Sequence, residues 1–150
     1  MRLVALLTIY LGLLTVAAAV ADARPVSARV DRAHDVVRVD HHLRALKADP
    51  YLTHLAQRRA RWLVRRHRFT HGNFERRMRR AGLRRAAENL AWAGGTDPPV
   101  GATMRAWMAS PAHRENILGR WKRIGVGVAK RTPSGDPGRT YVVLFARNSG

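Results

Sequence analysis

The sequence predicts an α+β domain in which helices pack on an antiparallel sheet that finishes in a C-terminal hairpin. Three observations carry this. Up to Leu118, apolar residues recur at helical spacing in segments that open on capping residues. Beyond it the period changes: Ile124, Val126 and Val128 alternate with small or polar residues, and Tyr141 to Phe145 is a β-rich run. Between these two runs, Pro133-Ser134-Gly135-Asp136-Pro137-Gly138 is a turn cluster.

In chain order, Met1-Arg2 is followed by an apolar run from Leu3 to Ala21 and by Ala21-Asp22-Ala23. A basic start, an apolar stretch and small residues at an A-x-A site describe a secretory signal over residues 1–23. The alternative is an uncleaved N-terminal membrane anchor, because the run approaches the length needed to span a bilayer. Residues 24–39 read as a lead-in and 40–147 as the domain, with Val30 to Leu46 carrying a helical pattern across that boundary. Asp49 caps the next helix and Pro50 suits its first position, with Leu52, Leu55, Ala56, Ala60 and Leu63 as its apolar stripe. A third helix runs from Asn73 as cap to Ala81 and closes at Gly82. Glu88 to Trp92 reads as a short buried segment before the Gly94-Gly95 turn. Val100 to Ala109 is helical, and Ser110-Pro111 restarts a helix, with the Ser hydroxyl as cap, that Gly119 ends. The four tryptophans are assigned to core packing.

Composition narrows the function. The 150 residues hold 28 Lys+Arg against 10 Asp+Glu, a net charge of +18, and no cysteine. That length suits one core, and the absence of cysteine excludes a disulfide scaffold, thiol catalysis and Cys-ligated metal. Cutting after Ala23 removes one Arg and one Asp, so the whole +18 belongs to the remaining 127 residues. Such a charge calls for anionic partners. Export turns the expectation from nucleic acid to an anionic cell-envelope polymer or lipid, and an exported chain without cysteine suggests a bacterium. Arg58-Arg59, Arg65-Arg66-His67-Arg68, Arg76-Arg77, Arg79-Arg80 and Arg84-Arg85 crowd one stretch. The bland account of them is solvated helix faces. Yet Glu75 and Glu88 are the only acids between Asp49 and Asp97, so a net positive field must remain there.

There is no G-x-S-x-G, P-loop or H-E-x-x-H motif. Three other segments stand out: Phe69-Thr70-His71, Ala87-Glu88-Asn89-Leu90-Ala91, and Trp107-Met108-Ala109-Ser110-Pro111-Ala112-His113-Arg114-Glu115-Asn116-Ile117-Leu118. Together they resemble the CAP superfamily of cysteine-rich secretory, antigen 5 and pathogenesis-related proteins, in its cysteine-free bacterial SCP-domain branch. The similarity runs from about Asp40 to Phe145. It implies an α-β-α sandwich with a cleft of two His and two acids. Here His71 and His113 match the two His and Glu88 one acid, while no carboxylate matches the other. Two imidazoles and a carboxylate can bind a divalent metal such as Zn²⁺, with His71 and His113 as ligands. Alternatively, the carboxylate can orient one His as a catalytic base. A third account is purely structural, the His and Glu bonding each other while Asn89 and Asn116 bridge backbone. The resulting expectation is a secreted, monomeric protein that binds an extracellular ligand at His71, Glu88 and His113. The alternative is a metal-assisted or His-based hydrolase of peptide or cell-wall material. His34, His41, His42, His54 and His67 have no comparable context.

Overall fold

The computed structural model describes residues 24–147. The apolar segment 1–23, read above as an export signal or anchor, lies outside them. The elements are α1 (Val26–Asp40), β1 (Lys47–Ala48), α2 (Pro50–Arg65), α3 (Phe74–Arg80), β2 (Ala86–Gly94), α4 (Val100–Ala109), α5 (Pro111–Leu118), β3 (Arg123–Lys130) and β4 (Gly138–Ala146). The sheet order is β1-β3-β4-β2. The short β1 runs parallel to β3, and the other pairings are antiparallel. The expected hairpin is β3–β4, its register closing at Lys130 opposite Arg139. Among the described residues no helix is long and apolar enough to cross a membrane.

Strand β4 sits at the centre, and Thr140 to Ala146 are all out of solvent. Its side chains alternate between two cores. Tyr141, Val143 and Phe145 join Val30, Met104, Trp107 and Ile117 beneath α1, α4 and α5. Val142, Leu144 and Ala146 join Leu52, Ala56, Leu63 and Met78 beneath α2 and α3. The result is the three-layer α-β-α sandwich. Because both faces are covered, β4 reads as one continuous apolar run rather than an alternation.

The small residues of β3 have a specific purpose. A methyl group on Gly125 would lie 2.3 Å from the carbonyl carbon of Leu52, and one on Gly127 2.2 Å from that of Ala56. The backbone of α2 therefore rests directly on the sheet, with Ala56 and Ala60 buried on the facing side of the helix. Asp49 holds the helix start: its Oδ1 accepts from the Leu52 amide at 3.0 Å and its Oδ2 from Arg123 of β3 at 2.8 Å. Asn73 caps α3 through the Arg76 amide at 3.2 Å. Ser110 differs from expectation. Its hydroxyl makes no capping bond, and the Arg114 amide goes to its backbone carbonyl instead.

The first helix also departs from the sequence reading. It begins at Val26, inside the stretch read as a lead-in, and stops at Asp40 rather than continuing to Leu46. Its buried face is Val30, His34 and Arg38, three positions at helical spacing of which two are polar. That polarity concealed the stripe. Arg38 donates to the carbonyls of Arg44, Ile117 and Gly119 and so ties the turn after α1 to the end of α5. His34 bonds the Val30 carbonyl at 2.8 Å and packs against the rings of Trp107 and Phe145. Of the tryptophans assigned to packing, Trp107 is buried, but Trp92, near the end of edge strand β2, is 53% exposed.

The close approach of α2 can be tested by filling it. Gly127→Ala should cost roughly 3 kcal/mol of unfolding free energy or more, at the top of the overpacking range, by urea denaturation. Gly101→Ala, where a methyl meets only the tip of the Arg105 side chain at 3.4 Å, should be neutral or stabilising. Equal stability of the two variants would mean that α2 does not lie on the sheet as described. A second expectation concerns His34, whose pKa burial lowers from 6.5 to about 4. A base depressed in the folded state is protonated first in the unfolded chain. Its contribution is therefore complete above pH 6.5 and declines as pH falls toward 4. By pH 5 the decline is about 2 kcal/mol. Urea unfolding of wild type and His34→Leu at pH 7.5 and pH 5 should show a pH-dependent gap of that size; parallel behaviour would refute it.

Candidate functional site

The site grows from β2, the open edge of the sheet. Residues of a strand point alternately to its two faces, so successive side chains here serve different layers. Glu88 lies on the same face as Leu90, toward α2 and α3, while Asn89 lies with Ala87, toward α5. The edge carbonyls are covered by side chains instead of another strand. The Trp107 indole donates to the carbonyl of Leu90 at 3.0 Å, and Asn116 donates to that of Glu88 at 3.5 Å. This seals the edge against further pairing.

The side chain of Glu88 is 1% exposed and its charge is met by two groups. Nη2 of Arg77, on α3, donates to both carboxylate oxygens at 3.0 Å. Nδ1 of His71 lies 3.0 Å from Oε1. A carboxylate only accepts, so Nδ1 carries the proton and Nε2 is the free nitrogen of this half-exposed imidazole.

The loop before α3 is shaped to present His71. Arg59, buried on α2, donates to the Thr70 carbonyl. The Gly72 amide donates to Thr70 Oγ1 at 3.0 Å, with Gly72 in the left-handed region at φ +54°. Arg77 donates to the His71 carbonyl as well as to Glu88, so one guanidinium fixes both the loop and the acid.

His113 comes from the other layer. Asn89, fully buried, donates to the His113 carbonyl at 3.0 Å and accepts from Asn116 at 2.9 Å. The two asparagines therefore bridge backbone as the sequence suggested, and they bolt α5 to β2. Partial burial lowers the pKa of His113, and a charge on His71 lowers it further. Glu115, two residues on, is exposed and takes no part.

All three expected residues are accordingly gathered here, His71 and Glu88 by direct contact and His113 through Asn89. Arg77 and Arg59 were missed, hidden among arginines read as solvated faces. Arg59 had a usable signal: it shares the buried stripe of α2 with Leu52, Ala56 and Leu63. As a metal site the set fits poorly. Both oxygens of Glu88 already hold a guanidinium, and among the described residues no group of three or more His, Cys, Asp or Glu could hold an ion. The two imidazoles alone remain for such a role.

The profile of the cysteine-rich secretory protein family (CAP) matches residues 32–145, a stretch that begins within α1. Among solved structures the chain is similar to an outer surface protein from Borrelia burgdorferi. The TM-score is 0.70 at 23% identity, covering 81% of this chain and 92% of that one. It is also similar to an extracellular SCP-domain protein from Bacillus anthracis, with TM-score 0.68, 22% identity and coverage of 81% of this chain and 40% of that one. A cysteine-rich secretory protein from Staphylococcus aureus gives TM-score 0.65, 18% identity and coverage of 81% and 38%. The chain therefore spans about two fifths of those last two proteins. At these identities the likeness establishes a shared fold. No curated protein matches the sequence.

Arg77→Met should leave Glu88 buried with His71 as its remaining side-chain partner and cost roughly 2–4 kcal/mol by urea unfolding. A cost below about 1 kcal/mol, the size of an exposed ion pair, would show that Arg77 is no clamp.

Proposed function

The chain belongs to the cysteine-rich secretory protein (CAP) family, and from that premise we propose that it is an exported bacterial protein whose domain binds an extracellular ligand, an anionic envelope polymer or lipid, in the cleft of His71, Glu88 and His113. The observation that carries this reading is the engagement of Glu88. With Arg77 on both carboxylate oxygens and His71 on one, the acid is a structural post that aims an imidazole outward. What is left free is Nε2 of the half-exposed His71, backed by the Arg77 guanidinium. A group of that kind attracts anions, and more strongly once an imidazole is protonated. Export is supported by the signal-like segment of residues 1–23. It is also supported by the descriptions of two structural neighbours, one an outer surface protein and one extracellular.

A second reading, a His-based hydrolase of peptide or cell-wall material, rests on the His71–Glu88 bond. A carboxylate on Nδ1 orients an imidazole and leaves Nε2 to take a proton from water. Arg77 works against it, because a carboxylate neutralised by a guanidinium does less to raise imidazole basicity.

Binding to an isolated envelope fraction tests the proposal. Because the pKa of His113 is depressed, its charge appears only as pH falls below the ordinary imidazole range. Binding should therefore tighten from about pH 8 to about pH 5. His71→Ala/His113→Ala should lose that pH dependence and about tenfold in affinity at the lower pH. If the double variant binds as wild type does at both pH values, the cleft is not the binding site. Release of soluble fragments by wild type but not by the double variant would decide for the hydrolase.

A further inference from the structure

A second feature lies beside the cleft and shares Arg59 and Arg77 with it: a groove of about 750 Å³ between α2 and α3. Its floor is apolar, with Leu55, Trp62 and Met78. No carboxylate lines it, and six arginines do. Two of these are committed, Arg59 to the Thr70 carbonyl and Arg77 to Glu88. Arg59 is 8% exposed, and its Nε has no hydrogen-bond partner.

The other four, Arg58, Arg61 and Arg65 of α2 and Arg80 of α3, are exposed and form no side-chain hydrogen bond or ion pair among the described residues. Arg58, Arg61 and Arg65 recur at intervals of three and four residues, so they share one helix face and span about 10 Å along it. Like charges at this spacing repel and weaken a helix. No acid on α2 relieves them, since Pro50 to Arg65 contains neither Asp nor Glu. The fold therefore maintains an uncompensated row of guanidiniums along a concave wall.

We infer that this groove is a binding site for a linear phosphate polymer, a polyphosphate or a polyol-phosphate chain, laid along α2 with successive phosphates on Arg58, Arg61 and Arg65. Guanidinium forks match phosphate oxygens in pairs. A row of charges suits a ligand whose charge repeats along a thread. Concavity selects the thread over a membrane: a planar bilayer meets the arginine rim and cannot reach Leu55 and Trp62 on the floor. The floor separates the two sources of the same chemistry. Bare polyphosphate uses the arginines alone, whereas a polyol-phosphate also lays its carbons on the partly exposed Leu55 and Trp62. The inference concerns side chains outside the His71–Glu88–His113 cleft, so the two readings fail separately.

The test compares the full chain with two triple variants of equal net charge. One is Arg58→Gln/Arg61→Gln/Arg65→Gln. The other is Arg44→Gln/Arg105→Gln/Arg120→Gln, which removes three exposed arginines elsewhere. The probes are inorganic polyphosphate, poly(glycerol phosphate) and phosphatidylglycerol vesicles. The groove triple should lose at least tenfold in affinity for the soluble polymers and show a shallower salt dependence. The control triple should lose less than threefold, and His71→Ala/His113→Ala should bind the polymers as wild type does. Tighter binding of poly(glycerol phosphate) than of polyphosphate, abolished by Trp62→Ala, would identify the polyol source; equal binding would identify polyphosphate. Thermal unfolding of the groove triple should be unchanged or raised, since repulsion is relieved, so loss of binding cannot be assigned to misfolding. Equal losses in both triples, or binding to vesicles alone, overturns the inference.

Discussion

A strand with no side chain in water from Thr140 to Ala146 requires cover on both faces, and β4 imposes that requirement on everything around it. Burying its Tyr, Phe, Leu and Val side chains supplies on the order of 1.5–3 kcal/mol each, which no single layer of helices could capture. One helical layer must lie on each side. The layer of α2 approaches so closely that the β3 positions beneath it are glycine. Sequence features that look unrelated, such as Gly125-Val126-Gly127 and the small residues Ala56 and Ala60 of α2, answer the same packing constraint.

The site follows from it. A sheet with helices on both faces leaves its last strand as the seam between layers, and β2 is that strand. Adjacent residues Glu88 and Asn89 therefore recruit partners from opposite sides: His71 and Arg77 from the α2–α3 layer, His113 and Asn116 from α5. No single helix or loop could have held both imidazoles. The buried carboxylate makes the arrangement rigid, because removing either partner from a desolvated charge is costly. Arg77 bonds the carboxylate and the His71 carbonyl together, so the charge that stabilises Glu88 also sets the height of the imidazole.

Much of this was legible in the sequence, and the exceptions share a cause. Asp49-Pro50, Asn73, Gly82 and Ser110-Pro111 marked helix ends correctly because capping depends on local geometry, though the Ser110 hydroxyl turned out not to bond. The β3–β4 hairpin showed itself through its period and turn residues. His71, Glu88 and His113 were readable through family resemblance; the structure bonds His71 to Glu88 and ties the His113 carbonyl to Asn89. What was not legible was polarity used inside. His34 and Arg38 occupy core positions of α1, and Arg59 one of α2, and a reading that equates charge with solvent passes over all three. Arg38 and Arg59 are buried because the carbonyls of Arg44, Ile117, Gly119 and Thr70 accept from them, and only the finished fold positions these; His34 bonds Val30 of its own helix and is buried against the rings of Trp107 and Phe145.

The arginines therefore divide by what surrounds them. Arg38, Arg59, Arg77 and Arg123 are fasteners, each bonded to a carbonyl or carboxylate and each holding one element to another. Arg58, Arg61, Arg65 and Arg80 are satisfied by nothing in the described chain, and their mutual repulsion is borne rather than relieved. A genome rich in arginine codons would explain Arg in place of Lys in both groups. It does not explain why acids are withheld from α2 while Asp49, one residue before it, and Glu88 beneath it are placed where a cation meets them. Pro50 to Arg80 thus holds ten arginines against one acid, Glu75, in the layer that also presents His71, while the rest of the excess charge is spread over the remainder of the chain.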